Sequence, residues 1–447
     1  MKLHRVFTGL LLLFLTASIL KGRDDPAGDG NNWTHWRGPH NTGAARGGNP
    51  PLEWSETHNI KWKSEIPGTG HATPIVWEDR LILLSAVQTE KKKEGGENEE
   101  PGLEQQWMSP VTTDFVHRFV VISVNRDNGS IIWQTTVREE LPFSHTHEFG
   151  SWASNSPVTD GEYIYAYFGS HGLYCLDMTG RIRWERDLGR MEKVMSFGEG
   201  SSPVLHKEKL VVLRDHEGQS TLHVLDKYTG KIIWEMDRDE VSSWSTPLVV
   251  EYRDQVQLIT SATGRVRGQD LDTGDLIWEC SGMTRNVIPS PVYSGGLVYV
   301  MSGFRGNALF AIDLSKASGD ITGTDAIVFH HGENTPYAPG PALAGERLYF
   351  LKGNNGYLTC MGALDGKVYY SNQKLEGINN IFASPLATDG RVYITGTDGT
   401  TCVVKQGNEF ELLARNELDD SFYASPVVIG EDLYLRGTKS LYCISLK

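Results

Sequence analysis

Short apolar runs alternate with turn signals along almost the whole chain. Between Asn155 and Trp184 the run VT leads into the turn TDGE. Then come YIYAYF, a small-residue turn, LYCLD and a Gly turn into IRW. Runs this short, bounded by Gly and Asp, predict antiparallel strands joined by hairpins. The pattern recurs. A small residue followed by Pro opens each copy, at Thr73, Ser156, Ser202, Thr246, Ser290, Gly340, Ser384 and Ser425. Successive openings lie 83, 46, 44, 44, 50, 44 and 41 residues apart. A third strand ends in Asp in most copies. A fourth strand carries an aromatic residue, as at Trp133, Trp184, Trp234, Trp278 and Tyr370. Four strands per ~44-residue unit is the pattern of a propeller blade.

The two ends of the chain complement each other. The last copy stops at LYCISLK, after its third strand, whereas NIKWKSEIPG (59–68) is an orphan fourth strand bearing Trp62. Joining them removes an exposed sheet edge. The predicted fold is therefore all-β: an eight-bladed β-propeller of four-stranded antiparallel blades over 59–447, with the N-terminal strand completing the last blade. Residues 23–58 form a lead-in. The charged stretch 88–114 is an insertion in blade 1, read as a solvated surface loop; the alternative is a lid or docking arm carried by Trp107 and Met108.

Residues 1–22 change the expected compartment. Lys2 and Arg5 precede an apolar run from Val6 to Leu20, the pattern of a secretory signal or, if uncleaved, an N-terminal anchor. No other stretch approaches the ~20 apolar residues that span a bilayer. The expected location is periplasmic, cell-envelope or secreted. A formal net charge of −14 over 447 residues opposes binding to phosphate backbones, so no nucleic-acid partner is expected. A monomer is expected.

Secretion permits disulfides, but the repeat argues against them. Alignment of the third strands puts Ser123, Cys175, Val224, Gly268, Ala311, Cys360, Cys402 and Cys443 in one small core slot. Equivalent slots on neighbouring blades stand too far apart to bridge. Cys280 is left over and expected to be unpaired.

Polar and aromatic residues gather in the loops before each Pro step and between second and third strands. These loops share one face and surround the channel, the default place for a ligand. The candidate rim comprises His145, His147, Glu148 and Trp152 before blade 2 and His171, Asp215 and His216 in turns. It continues with Arg238, Asp239 and Trp244 before blade 4, Arg285 and Asn286 before blade 5, Arg305, and Tyr337 before blade 6. His145 and His147 alternate on an extended segment and could share a metal. No spacing supplies a third ligand, so no metal site is expected.

The repeat resembles the PQQ-type propeller repeat of quinoprotein dehydrogenases and BamB-like proteins. WTHWRGPHNTG (33–43) and HEFGSWASNSPVTDGEYIYAYFGSHGLYCLD (147–177) are similar to segments of secreted PQQ-like propellers, and the resemblance covers 33–447. The dehydrogenases of this group often stack the quinone between a Trp and a disulfide of adjacent Cys, beside a calcium bound by Glu, Asn and Asp. This chain has no Cys-Cys pair and no Cys-x-x-Cys-His haem motif. The expectation is a non-catalytic binding or scaffold module with no cofactor, meeting a protein, peptide or glycan of the envelope on its loop-rich face. The alternative is a PQQ- and calcium-dependent, or metal-dependent, oxidoreductase.

Overall fold

The computed structural model describes residues 30–45, 47–92 and 110–446. The short apolar runs form strands whose two faces are both covered, because each sheet packs between two others. Leu173–Ile182 shows the logic: Leu173, Tyr174, Cys175 and Leu176 are all buried, and exposure begins at the Asp turn.

Eight antiparallel sheets follow one another in chain order and close into a propeller. Blade 1 covers 75–140, blade 2 158–186, blade 3 204–238, blade 4 248–280, blade 5 292–331, blade 6 342–374 and blade 7 386–417. Blade 8 takes its inner three strands from 427–444 and its outer strand from Ile60–Glu65. Trp62 pairs with Cys443 and Lys63 with Tyr442. The closing strand expected from the sequence is thus in place.

The fourth-strand aromatics hold successive blades together, though most do so from the outer rim. Indole Nε1 donates to a backbone carbonyl of the next blade in four cases. The pairs are Trp62 to Arg126, Trp133 to Met178, Trp184 to Lys227 and Trp234 to Leu271, at 2.9 to 3.1 Å. Each ring lies on the glycine of the neighbour's turn. A Cβ on Gly180, whose φ is +84°, would stand 2.7 Å from the Trp133 ring. Glycine serves there twice, for the backbone conformation and for the close approach. Trp133, Trp184 and Trp234 are only half-buried.

Trp278 differs. Its Nε1 turns back to Oε1 of Gln257 in its own blade, at 2.9 Å, and its ring is fully buried. Gly268 opposite makes the room. The extra length of blade 5, visible as the 50-residue spacing, supplies the cover: Gly319–Asp320 pairs with Trp278 and Glu279 as a parallel fifth strand.

All five cysteines are buried and free. Cys175, Cys360 and Cys443 face Trp184, Tyr370 and Trp62 across the third and fourth strands. In blade 7 that slot belongs to Val403, opposite Ala414, and Cys402 is one residue out of step. A one-residue shift moves a strand residue to the opposite sheet face. Cys402 therefore packs toward blade 6, with Cys360, rather than toward blade 8.

The insertion is more ordered at its base than the sequence suggested. Arg80–Lys92 continues as a single strand, pairing up to Phe115, and Pro110–Val111 pairs with Thr146–His147. Trp107, Met108 and the rest of 93–109 lie outside the described residues, as do residues 1–29, which include the expected signal or anchor over 1–22. No helix among the described residues is long and apolar enough to cross a membrane.

Candidate functional site

The Ser/Thr-Pro step builds the channel wall. Each hydroxyl accepts a backbone N–H from the same step of the preceding blade. Thr73 donates to Ser156, Ser156 to Ser202, Ser202 to Thr246, Thr246 to Ser290, Gly340 to Ser384, Ser384 to Ser425 and Ser425 to Thr73, at 2.8 to 3.0 Å. The ring is open at one joint. Gly340 has no hydroxyl to offer the N–H of Ser290. Proline after each step contributes no N–H of its own and fixes φ, so the strand enters the sheet in register.

A second tier follows from strand geometry. In an extended segment residues two apart share a face, so the residue two positions before each step also faces the channel. All eight such residues line one cavity of about 440 Å³. They are large on blades 7, 8 and 1, as Phe382, Tyr423 and His71, and again on blades 4 and 5, as Trp244 and Ile288. They are small on blades 2, 3 and 6, as Ser154, Gly200 and Ala338. Loop aromatics occupy the room above the small ones: Phe149 and His147 before blade 2, Phe197 before blade 3, Tyr337 before blade 6. Phe149 meets Phe382 at 5.1 Å between centroids, Phe382 meets Tyr423 at 5.6 Å, and Tyr337 stacks on Phe304 at 4.8 Å.

The lead-in closes the far end. The N–H of Trp33 donates to Val76 of blade 1, and Thr34 accepts from Thr159 of blade 2. The chain then crosses the channel to blades 6 and 7, where Thr42 and Gly43 accept from Leu343 and Ala387. Buried Arg37 anchors the crossing by donating to the carbonyls of Pro341 and Pro385. Trp36 lines the aromatic cavity, whereas Pro39 to Ala45 line a separate cleft of about 670 Å³ on the opposite side. The lead-in therefore stands between the two as a floor. His35, beside Trp36, is buried without a partner for either ring nitrogen, and burial pulls its pKa down to about 4.

The electrostatics of the cavity are sparse. Glu199 is the one carboxylate among the described residues lining it, and no Lys, Arg, Asp or Cys joins it. The Glu199 oxygens accept from the N–H and Oγ of Ser170, at 2.6 and 2.5 Å. His71 stacks on Tyr423 at 4.1 Å, and burial with Arg436 nearby pushes its pKa down to about 3. Desolvation also lowers that of His147. Both rings are thus neutral at pH 7.

Of the fourteen rim candidates, His147, Trp244 and Tyr337 line the cavity. The others do structural work or face solvent. Asp215 and Arg238 form a buried ion pair at 2.8 Å, with Ser243 donating to the same carboxylate. His171 contacts Glu140 at 2.7 Å and stacks on Phe119. His216 accepts the N–H of Glu192 and of Gly218. Trp152 donates to Ser144 and packs on His117. Asp239 pairs with Arg267 at 2.5 Å. Arg305 lies over the Phe304 ring, and Asn286 bonds Tyr337. Glu148 and Arg285 are exposed, and His145 is half-buried in its loop. No group of three His, Cys, Asp or Glu among the described residues is placed to hold a metal. Sequence reasoning missed Phe149, Phe197, Phe304, Phe382, Tyr423, His71 and Trp36. The period-two offset from the Pro step would have found His71, Phe382 and Tyr423.

A family model described as outer membrane protein assembly factor BamB matches residues 117–371. No curated protein matches the chain. Among solved structures, BamB from Moraxella catarrhalis aligns with a TM-score of 0.52 at 14% identity, covering 82% of this chain and 98% of that one. A europium-containing methanol dehydrogenase aligns with 0.63 at 12% identity, covering 92% and 91%. A quinohemoprotein alcohol dehydrogenase from Comamonas testosteroni aligns with 0.59 at 10% identity, covering 93% and 81%. At such identities the likeness to these structures is one of fold. With more than half its length matched by the family model and eight blades closed by its N-terminal strand, this chain belongs to the BamB-like family of PQQ-type β-propellers.

Proposed function

We propose that the protein is a non-catalytic binding module of the cell envelope or of secreted material, which takes its ligand into the aromatic cavity. The chemistry of the cavity wall carries this reading. General acid–base work needs a group near substrate with a pKa matched to the task. Glu199 is held by Ser170, His71 is too weak a base, and the buried Asp215 is committed to Arg238. Aromatic faces over a ring of hydroxyls suit binding and orientation instead. The basic-then-apolar N-terminus and the family support an envelope or secreted location, with a protein, peptide or glycan as partner.

The quinoprotein alternative fits the fold but not the wall. Pyrroloquinoline quinone carries several carboxylates. In this cavity they would face Glu199, with no lysine or arginine among the described lining residues to neutralise them. Every cysteine is buried singly in a blade, so none supplies a stacking disulfide.

Titration of the purified protein with PQQ and calcium, followed by absorbance and thermal shift, tests the reading. No saturable binding and no reduction of a redox dye with alcohols is expected. Binding near one equivalent accompanied by dye reduction would overturn it.

A further inference from the structure

We propose that the cavity is a site for the end of a neutral saccharide chain. This rests on the binding-module reading and names its ligand class. Sugars present apolar C–H faces and hydroxyl edges. The cavity presents the matching surfaces: aromatic walls at Trp244 on one side and Phe382 and Tyr423 on the other, above a belt of Ser and Thr hydroxyls. Each belt hydroxyl that accepts a backbone N–H keeps its own proton and a second lone pair, so it can both give and take hydrogen bonds. Asn354 and Asn380 add amides to the same wall.

Charge decides between this and other small ligands. An anion would find no cation among the described residues of the wall. An organic cation would find aromatic faces, but Glu199, its single counter-charge among the described lining residues, already has Lys193 close enough to offset it electrostatically. Lys193 also occupies one face of Trp244, with Nζ at 4.9 Å from the ring centroid. A neutral polyol needs no counter-charge, and Glu199 retains lone pairs to accept from a sugar hydroxyl.

Depth decides which part of the saccharide enters. Because Trp36 and the lead-in form a floor, a chain cannot thread through. A volume of about 440 Å³ lies within the ~300–1,000 Å³ of small-molecule sites. A blind pocket of this size takes a terminal sugar and its neighbour, not the middle of a polymer.

The test is an array of neutral and acidic oligosaccharides probed with the full chain. Titration of the best free oligosaccharide then follows tryptophan emission, since Trp36 and Trp244 both line the cavity. Neutral glycans should bind and shift the emission. Trp244→Leu and Phe382→Leu should each weaken binding at least tenfold while the melting temperature stays close to that of the parent. A capped terminal sugar should not bind. A silent array, signals confined to acidic glycans, or affinity unchanged in both variants would overturn the inference. A silent array without PQQ binding would leave the non-catalytic reading standing; dye reduction with bound PQQ would remove both.

Discussion

The backbone N–H of Ser425 donates to Oγ1 of Thr73 at 3.0 Å, across 352 residues of sequence. This bond closes the hydroxyl belt between the last blade and the first. It also explains why seven of the eight blades open with a hydroxyl residue: the side chain serves the neighbour, not its own strand. Removing Thr73 Oγ1 with Thr73→Val should leave a buried N–H without an acceptor and cost about 1–3 kcal/mol. Urea unfolding would measure it, and a loss near zero would show that water replaces the hydroxyl.

The gap in the belt gives the converse experiment. A Cβ on Gly340 would stand 3.5 Å from Ser384 Oγ and 3.9 Å from the N of Ser290, which is ordinary contact. Gly340→Ser should supply the missing acceptor and stiffen the unfolded chain, stabilising the protein by about 1–2 kcal/mol. A melting temperature that falls would mean that the joint between blades 5 and 6 needs its freedom.

Trp278 and Trp234 occupy equivalent strand positions with unequal burial. Trp278→Ala should cost about 3–5 kcal/mol, as for a fully enclosed ring, and the half-buried Trp234→Ala clearly less. Gly268→Ala should also destabilise, because its Cβ would sit 2.2 Å from Trp278 Nε1. Equal losses at the two tryptophans would contradict the role of the fifth strand as a cover.

Acid should loosen the channel. His35 and His71 have folded pKa values of about 4 and 3, below the ordinary 6.5, because burial disfavours their charged forms. The unfolded chain therefore binds protons that the folded one refuses. Their contribution is fully present above pH 6.5 and is lost as pH falls toward 4, at about 1.4 kcal/mol per pH unit for each ring. His71→Phe, which keeps a stack on Tyr423, should flatten the stability-versus-pH slope by one proton between pH 4 and 6. An unchanged slope would place His71 in contact with water.

The blade count was legible because it rests on local patterning repeated eight times, and the closing strand because it supplies the one strand the last copy lacks. The site was less so. Charged loop residues drew attention as candidates, yet Asp215 and Arg238 neutralise each other across 23 residues, a pairing no local rule shows. The aromatic wall came instead from residues such as Phe382 and Tyr423, which read as ordinary apolar positions until the offset from the Pro step is followed around the ring. Trp36 was invisible for a different reason. It lies in the lead-in, before any repeat begins, and only the crossing of that segment brings it into the cavity. The cysteine slot slipped by one residue in blade 7 because the register there is set by Val403 and Ala414, which carry no distinctive side chain.

The lead-in crossing has a consequence for how the molecule is made. Trp33, Trp36, Trp54 and Trp62 all precede blade 1 in the sequence. The backbone N–H of Trp54 is bonded to Asn416, and Trp62 pairs with Cys443. Trp54 and Trp62 thus wait for the last two blades. Blades 1 to 7 can form in order of synthesis and the floor can settle once blades 6 and 7 are made, but the seam of the ring closes only when the last strand arrives.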